Sequence, residues 1–435
     1  MKRLTNTNPN ISHDRFSECA VNNDNRDTRI PISDNLTGSR SASNGIKVAL
    51  THDYLNQLGG AERVLETLAE IFPKAPIYTL FYDKDKTLGK FDGKIKKTSF
   101  LDFPLVRNRH RPFIPLMPIA ASAMKINGDY DVIISDSAGY AKGMRASNYV
   151  DKKPLHISYC HTPLRYAWEP EYINAKFQIP SSKFIGKKAF GGVSIALLAS
   201  PFINTVAWLL RVWDRRAGQK PDILLANSNF IAQKIKKYYG REAQVVYPPV
   251  DLKIFYPDKD KQIAKGESYF LAVGRFMHYK RFDIVVDAFN KLGFPVKIIG
   301  YGPEEKNLKS MAQSPRIEFM SYQGNAELRK LYSGARALIF PQVEDFGLVA
   351  AEAIACGTPV IAYNAGGAKE IVDEKSGILF DKQTTAGLME AIRIFMYREK
   401  KFKPSTVAVQ AQKFSKENFV KQIKDIVAGC LLPIS

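Results

Sequence analysis

Cysteine is scarce in this sequence: Cys19, Cys160, Cys356 and Cys430 are far apart among 435 residues, and no two form a CxxC pair. That spacing excludes a disulfide scaffold and a thiolate zinc site, and it suits a reducing compartment. The opening stretch MKRLTNTNPNISHDRF has no apolar core of the kind a signal peptide needs. Residues 1–45 are poor in apolar runs and rich in Asn, Asp, Ser and Arg, which predicts a disordered extension without chemistry of its own. Acid is the minority charge. Against 43 Asp and Glu stand 63 Lys and Arg, a net charge of +20.

Such an excess attracts an anion, and nucleic acid, anionic lipid and phosphorylated small molecules all qualify. The basic runs KIKK (94–97), RNRHR (107–111), KKAF (187–190) and KIKKYYGR (234–241) are scattered, and each reads as a solvated face. No nucleic-acid-binding motif accompanies them, so no nucleic-acid partner is expected. The chain is too long for one typical core, which predicts two domains.

Apolar strand-like runs alternate with helical spacing along the whole chain. IKVALTHDY (46–54) is followed by LGGAERVLETLAEIF (58–72), where Val64, Leu65, Leu68 and Ile71 recur at helical intervals. PIYTLFY, YDVIISDS, LHISYCH and DILLANS continue the first half, and the paired prolines of AQVVYPPVD (243–251) mark its end. YFLAVGRF, RFDIVVDAFNKL and FPVKIIGYG open a second half with the same rhythm. Alternation of this kind implies parallel sheets covered by helices, here two doubly wound α/β domains over 46–252 and 253–415. A closing helix over 416–435 is expected to pack back toward the first domain. Ligands bind such folds beyond the carboxyl ends of the strands, so the cleft between the domains is the expected site.

One long apolar run stands out, GGVSIALLASPFINTVAWLL (191–210), flanked by basic residues. Pro201 and Asn204 weaken a transmembrane reading. A helix lying in the membrane surface is preferred, and a buried connector is the alternative.

Three loops carry candidate chemistry. In LNQLGGAER, Gly59 and Gly60 let backbone approach a ligand at a helix start, although Gly-Gly also simply makes turns, and the loop is not a GxGxxG fingerprint. In VGRFMHYKR, Arg275 and Lys280 follow a strand and suit a diphosphate, or are two surface cations. In EDFGLVAAE (344–352), a helix starting near Phe346 and Gly347 offers amides to negative charge. Glu344 precedes that helix and Glu352 rides on it. A carboxylate only accepts hydrogen bonds, so each acid can take both hydrogens of a vicinal diol. The plainer reading is a cap and a surface glutamate. Three Asp-x-Asp triplets, in YDKDK (82–86), DYD (129–131) and DKD (258–260), read as chance, and no metal is expected.

The order of these loops resembles the family-4 glycosyltransferases of the GT-B fold. GGAERV, NSNFIAQKI, YPPVD, VGRFMHYKR, IGYGPE and EDFGLVAAEAIACGTPVIAYNAGG carry the likeness, over nearly everything from residue 46 onward. SYCHTPLRYAWEPEY (158–172) and VWDRRAGQKPDILLANS are similar to the O-antigen mannosyltransferase-like subgroup. The resemblance implies that Arg275 and Lys280 hold a donor diphosphate, Glu352 the nucleotide ribose, and Glu344 with the amides of Phe346 and Gly347 the transferred sugar. Gly59 and Gly60 match a loop that closes on the phosphates. His161 matches a histidine near the donor sugar, though it could equally be structural. It also implies metal-independent transfer with retained anomeric configuration. The expected partners are a nucleotide-sugar donor, GDP-mannose ahead of a UDP-sugar, and a lipid-linked or polysaccharide acceptor. The expected location is the cytoplasmic face of the membrane, on an anionic surface. A non-catalytic glycosyltransferase-like subunit and a nucleic-acid-binding protein are the competing readings.

Overall fold

The computed structural model describes residues 45–149, 152–169, 195–258, 268–321 and 323–431, with side chains in the helix that begins at Ile195 described from residue 204. Residues 1–44 of the extension expected over 1–45, the basic run KKAF (187–190), the start of the apolar run at 191–194, and Lys259 and Asp260 of the third acidic triplet lie outside the described residues.

Among the described residues the first half builds nine strands: β1 Val48–His52, β2 Ile77–Thr79, β3 Ile95–Thr98, β4 Lys125–Asn127, β5 Val132–Ser137, β6 Arg145–Ser147, β7 Leu155–Cys160, β8 Ile223–Ala226 and β9 Gln244–Val245. The second builds six: β10 Phe270–Val273, β11 Val296–Ile299, β12 Ile317–Met320, β13 Leu338–Phe340, β14 Val360–Tyr363 and β15 Gly377–Phe380. The seven-stranded sheet runs β3-β2-β1-β5-β7-β8-β9, the six-stranded one β12-β11-β10-β13-β14-β15, and β4 pairs with β6 apart from both. Every pairing is parallel; β1, for example, lies between β2 (Leu50 opposite Ile77) and β5 (Leu50 opposite Ile134). The two doubly wound α/β sheets of the GT-B arrangement are therefore present. Central strands are buried on both faces, which is why β10 reads as an unbroken apolar run and β1 and β5 each open on three apolar residues. In each sheet the strand order reverses beside the first strand, between β1 and β5 and between β10 and β13, and such switch points open the crevice for a ligand.

Helix α1, Gly60–Ile71, buries Val64, Leu65 and Leu68 against the first sheet, each contributing about 1.5–3 kcal/mol. Its start is fixed by Glu62, whose carboxylate accepts the Gly59 amide at 2.8 Å. The helix Asn229–Tyr239 begins at a Ser228 cap and ends at Gly240, whose φ of 69° is the left-handed geometry glycine tolerates.

After the second sheet the chain crosses back. Val250 pairs with Ser415, and the helix Lys416–Leu431 buries Phe419, Ile423 and Val427 in the core of the first domain. Phe419 sits edge-on to Tyr159, with ring centres 5.7 Å apart.

KIKK keeps Lys96 and Lys97 exposed, in line with a solvated face, within β3, an edge strand whose lysines deter pairing with other chains. One basic run needs correction. In KIKKYYGR, Lys234 is largely covered and paired with Glu169 and Asp345. The apolar run becomes the helix Ile195–Ala217, with Leu210 buried and Trp208 and Leu209 exposed. Among the described residues no helix is long and apolar enough to cross a membrane.

Candidate active site

Gly59, Gly60, His161, Arg275, Lys280, Glu344, Phe346, Gly347 and Glu352, the nine residues singled out from the sequence, all line one cleft of about 480 Å³ between the two sheets. All but Glu352, which rides on the helix Leu348–Ala355, lie in the loop beyond a strand's carboxyl end or at the start of the helix behind it: Gly59 after β1, His161 directly after β7, Arg275 after β10, Glu344 after β13.

The second domain's wall is a stack of loops. Glu344 and Asp345 precede the helix Leu348–Ala355, for which Gly347 is the cap residue at φ 110°. A β-carbon there would sit 3.0 Å from the Phe340 ring in a backbone geometry that side chains rarely adopt, so glycine is required. The NAGG segment holds the loop from behind. Gly367 donates its amide to the Glu344 carbonyl at 2.9 Å, and any side chain at Gly367 would collide with the Phe346 backbone. The Phe346 ring packs on Tyr247 and Phe414, at 5.8 and 5.3 Å.

The charges on this wall are paired. Lys280 contacts Glu344. Glu352 is buried, contacts Arg63 of α1 across the cleft, and accepts from the Tyr332 hydroxyl at 3.2 Å. Arg275 donates to Gln57 of the first domain at 3.0 Å. Asp345 contacts Arg165 and lies 3.3 Å from Lys234; burial opposes its ionisation, but these two cations hold its carboxyl below the usual range. Glu370 reaches the start of the helix Asn229–Tyr239, accepting the amides of Asn229 and Phe230 at 2.9 and 3.0 Å. An acid at a helix start also meets the positive end of its dipole. The domains are thus joined by charged contacts along both sides of the cleft.

The first domain's wall is a buried titratable cluster. His161 Nε2 lies 2.6 Å from Asp136 Oδ1, and Asp136 Oδ2 lies 2.8 Å from His52 Nδ1. Burial alone would drive the His52 ring toward neutrality, but Asp136 and Glu62 overcome it and push its pKa up to about 10. For Asp136, burial is outweighed by His161 and His52, which hold the carboxyl below its usual range. Asp53 accepts the amides of Ala138, Tyr140 and Ala141 at 2.9, 2.9 and 2.6 Å and so folds the loop after β5; burial raises its pKa.

Among the described residues, no group of three His, Cys, Asp or Glu side chains could hold a metal ion. Asp83 pairs with Lys86, and Asp129 and Asp131 both bond to Lys47.

Comparison with known proteins agrees with this architecture. Residues 58–254 match the Glycosyltransferase Family 4 family, and residues 257–406 match Glycosyl transferases group 1. The chain belongs to the family-4 glycosyltransferases. An uncharacterized glycosyltransferase of Methanocaldococcus jannaschii is 29% identical over 212 residues, 48% of this chain and 58% of its own. D-inositol 3-phosphate glycosyltransferase of Mycobacterium tuberculosis is 32% identical over 180 residues, 37% of each chain. The chain spans about half the length of the curated relatives it matches. Among solved structures, Anabaena HepE in complex with UDP superposes with a TM-score of 0.62 at 18% identity, over 88% of this chain and all of HepE. The lipopolysaccharide outer core galactosyltransferase WaaB superposes at 0.59 with 16% identity, over 89% of this chain and all of WaaB. These last two likenesses speak to fold.

Several residues of this glycosyltransferase's cleft carry no signal in the sequence alone. Arg63, Gln57, Arg165, Asp345 and Glu370 act between domains, and no local pattern announces such contacts. His52 and Asp136 do leave a trace: each is a polar residue ending an apolar strand, in VALTHD and VIISDS.

Proposed function

We propose that this chain is a retaining hexosyltransferase that takes its sugar from a nucleoside diphosphate donor and passes it to a lipid-linked or polysaccharide acceptor. One observation carries the reading: two cations, two acids and the amides at one helix start converge on one wall of a cleft between two doubly wound sheets. Arg275 and Lys280 neutralise the diphosphate, Glu352 accepts the ribose hydroxyls, and Glu344 with the Phe346 and Gly347 amides holds the hexose. His161 meets the sugar from the opposite wall, and the Gly59 and Gly60 backbone approaches the phosphates. Donor entry exchanges partners, since Lys280 and Arg63 are paired with Glu344 and Glu352.

In this mechanism the bond from the anomeric carbon to the phosphate oxygen breaks, with its electron pair leaving on the diphosphate. The acceptor oxygen bonds the anomeric carbon on the same face, and its proton passes to the departing phosphate. The protein's work is positioning and charge stabilisation, with no metal assigned a part.

GDP-mannose is the first donor choice, on the subgroup likeness of residues 158–172. A UDP-sugar is the second reading, favoured by the HepE structures with UDP and with UDP-glucose. Release of nucleoside diphosphate from each donor, with wild type and Arg275→Ala, tests the assignment. Turnover of one donor, lost in the variant, supports it; no turnover of either sinks it.

Peripheral attachment to the inner face of the membrane belongs to the same proposal. Phe100, Leu105, Leu116, Ile119, Trp208 and Leu209 are exposed on neighbouring elements of the first domain, among exposed Lys96, Lys97, Arg109 and Arg111. Apolar insertion beside basic charge suits an anionic surface. Trp208→Ser with Ile119→Ser should weaken co-sedimentation with phosphatidylglycerol vesicles; unchanged binding would remove this face from the account.

A further inference from the structure

A line of charged groups, joined by hydrogen bonds and one longer ion pair, runs behind the cleft from His161 to the loop at Gly59. His161 Nε2 meets Asp136, and Asp136 meets His52 Nδ1, at 2.6 and 2.8 Å. His52 Nε2 lies 3.8 Å from Glu62 Oε1, while Glu62 Oε2 accepts the Gly59 amide at 2.8 Å. Gln57 extends the line across the cleft, with its amide nitrogen 3.5 Å from Glu62 and its oxygen accepting from Arg275. His52, Asp136 and Glu62 are all buried.

An ionised carboxylate only accepts, so Asp136 requires the hydrogen on Nε2 of His161 and leaves Nδ1 as the nitrogen for a ligand. The rest of His161 is also held. Its amide donates to Ser137 O at 2.8 Å, its carbonyl accepts from Asn227, and its ring stands edge-on to Tyr159. His52 faces one carboxylate at each nitrogen, and as an imidazolium, which its raised pKa supports, it donates toward both. Without that cation, Asp136 and Glu62 would be two buried acids with nothing between them. The other acid beside His52 is Asp53, already engaged by three loop amides.

We propose that Asp136, His52 and Glu62 are positioning residues: they set the tautomer and aim of His161 and tie it to the Gly59–Gly60 loop, so that the first domain offers its sugar-side and phosphate-side contacts as one rigid unit. This rests on the reading of His161 as a sugar contact. Partners of this kind, one step behind the contacting group, fix a ring's orientation, and their loss costs roughly ten- to a hundredfold.

The test joins imidazole nitrogen NMR on histidine-labelled protein with donor turnover. In the wild type, His161 should carry its proton on Nε2, and His52 should remain doubly protonated to about pH 9. Asp136→Asn should redistribute the His161 proton between Nδ1 and Nε2, read from the two ring-nitrogen shifts. It should also lower kcat at least roughly tenfold, with donor KM nearly unchanged. In a His161→Ala background the same substitution should cost nothing further, because Asp136 acts through His161. A His161 signal indifferent to Asp136→Asn, or losses that multiply in the double variant, would overturn the proposal. If Asp136→Asn does not fold, His52→Gln is read by the same nitrogen shifts: a changed Nδ1/Nε2 proton distribution at His161 supports the proposal, and an unchanged one overturns it. Wild-type turnover by His161→Ala would defeat the sugar-contact reading alone, and the nitrogen shifts would still decide whether the relay exists.

Discussion

The second domain brings Arg275, Lys280, Glu344 and Glu352 to the cleft on loops beyond β10 and β13 and on one helix, with their charged ends at the ligand space. The first domain lines the cleft with the Gly59–Gly60 backbone, His161, and Arg63 and Arg165, which reach across to Glu352 and Asp345, and it keeps His52, Asp136 and Glu62 buried behind them. The second domain's charged ends, together with Arg63, can change partners, whereas His52, Asp136 and Glu62 are spent on holding the first domain's own geometry. A donor that must be gripped, reacted and released needs both. Exchangeable charge recognises the diphosphate, and a pre-arranged frame keeps the reacting geometry without reorganisation.

Substitutions that strike one wall should separate these roles. The largest effect is expected at Glu344. Its replacement by alanine removes the proposed sugar contact and leaves Lys280 without its partner, and kcat should fall by roughly a hundred- to a thousandfold. Turnover within a few-fold of wild type would take Glu344 out of the mechanism. Gly347→Ala comes next, through geometry alone. At φ 110°, with Phe340 already 3.0 Å from the added carbon, it should cost about 1–3 kcal/mol and lower the melting temperature. A variant as stable as wild type would mean that the acid loop tolerates another backbone path.

The smallest effect is a pH dependence confined to the first domain. His52 has its pKa raised from 6.5 to about 10, so its stabilisation is complete below pH 6.5 and is lost as pH rises toward 10. Buried His156 has its pKa lowered to about 4, burial being the main cause, so its contribution is complete above pH 6.5 and is lost as pH falls toward 4. The second domain's histidine, His278, is exposed. Hydrogen exchange should therefore show protection in β1, β5 and β7 peaking near neutrality while β10 and β13 stay level. The change in melting temperature should be of the order of a few degrees. Parallel behaviour of the two domains would erase the contrast between the two walls.

The second wall was legible because its residues sit close together in sequence, each just after an apolar strand. EDFGLVAAE contains both acids, the helix start and its cap, so one local pattern describes one local structure. The strands were legible from apolar runs such as FLAV and the VII that opens VIISDS, since parallel strands are buried on both faces. Strand β3 was missed because an edge strand with two exposed lysines carries little of that signal. The buried cluster behind the first wall was missed for another reason. His52 and Asp136 meet only because β1 and β5 are neighbours in the sheet, His52 lying opposite Asp136, and strand order is not written in either segment. Arg63 with Glu352, and Arg165 with Asp345, depend further on how one domain faces the other.

The central claim is that EDFGLVAAE clamps a nucleotide-sugar donor, and calorimetry on wild type and Glu352→Ala tests it most directly. GDP-mannose, UDP-glucose and UDP-N-acetylglucosamine would each be titrated into both proteins. The account predicts that wild type binds one of them well and that the alanine variant binds it roughly ten- to a hundredfold more weakly, as expected for lost hydrogen bonds to a charged acceptor. Equal affinity in the two proteins, or no binding of any donor, would contradict it.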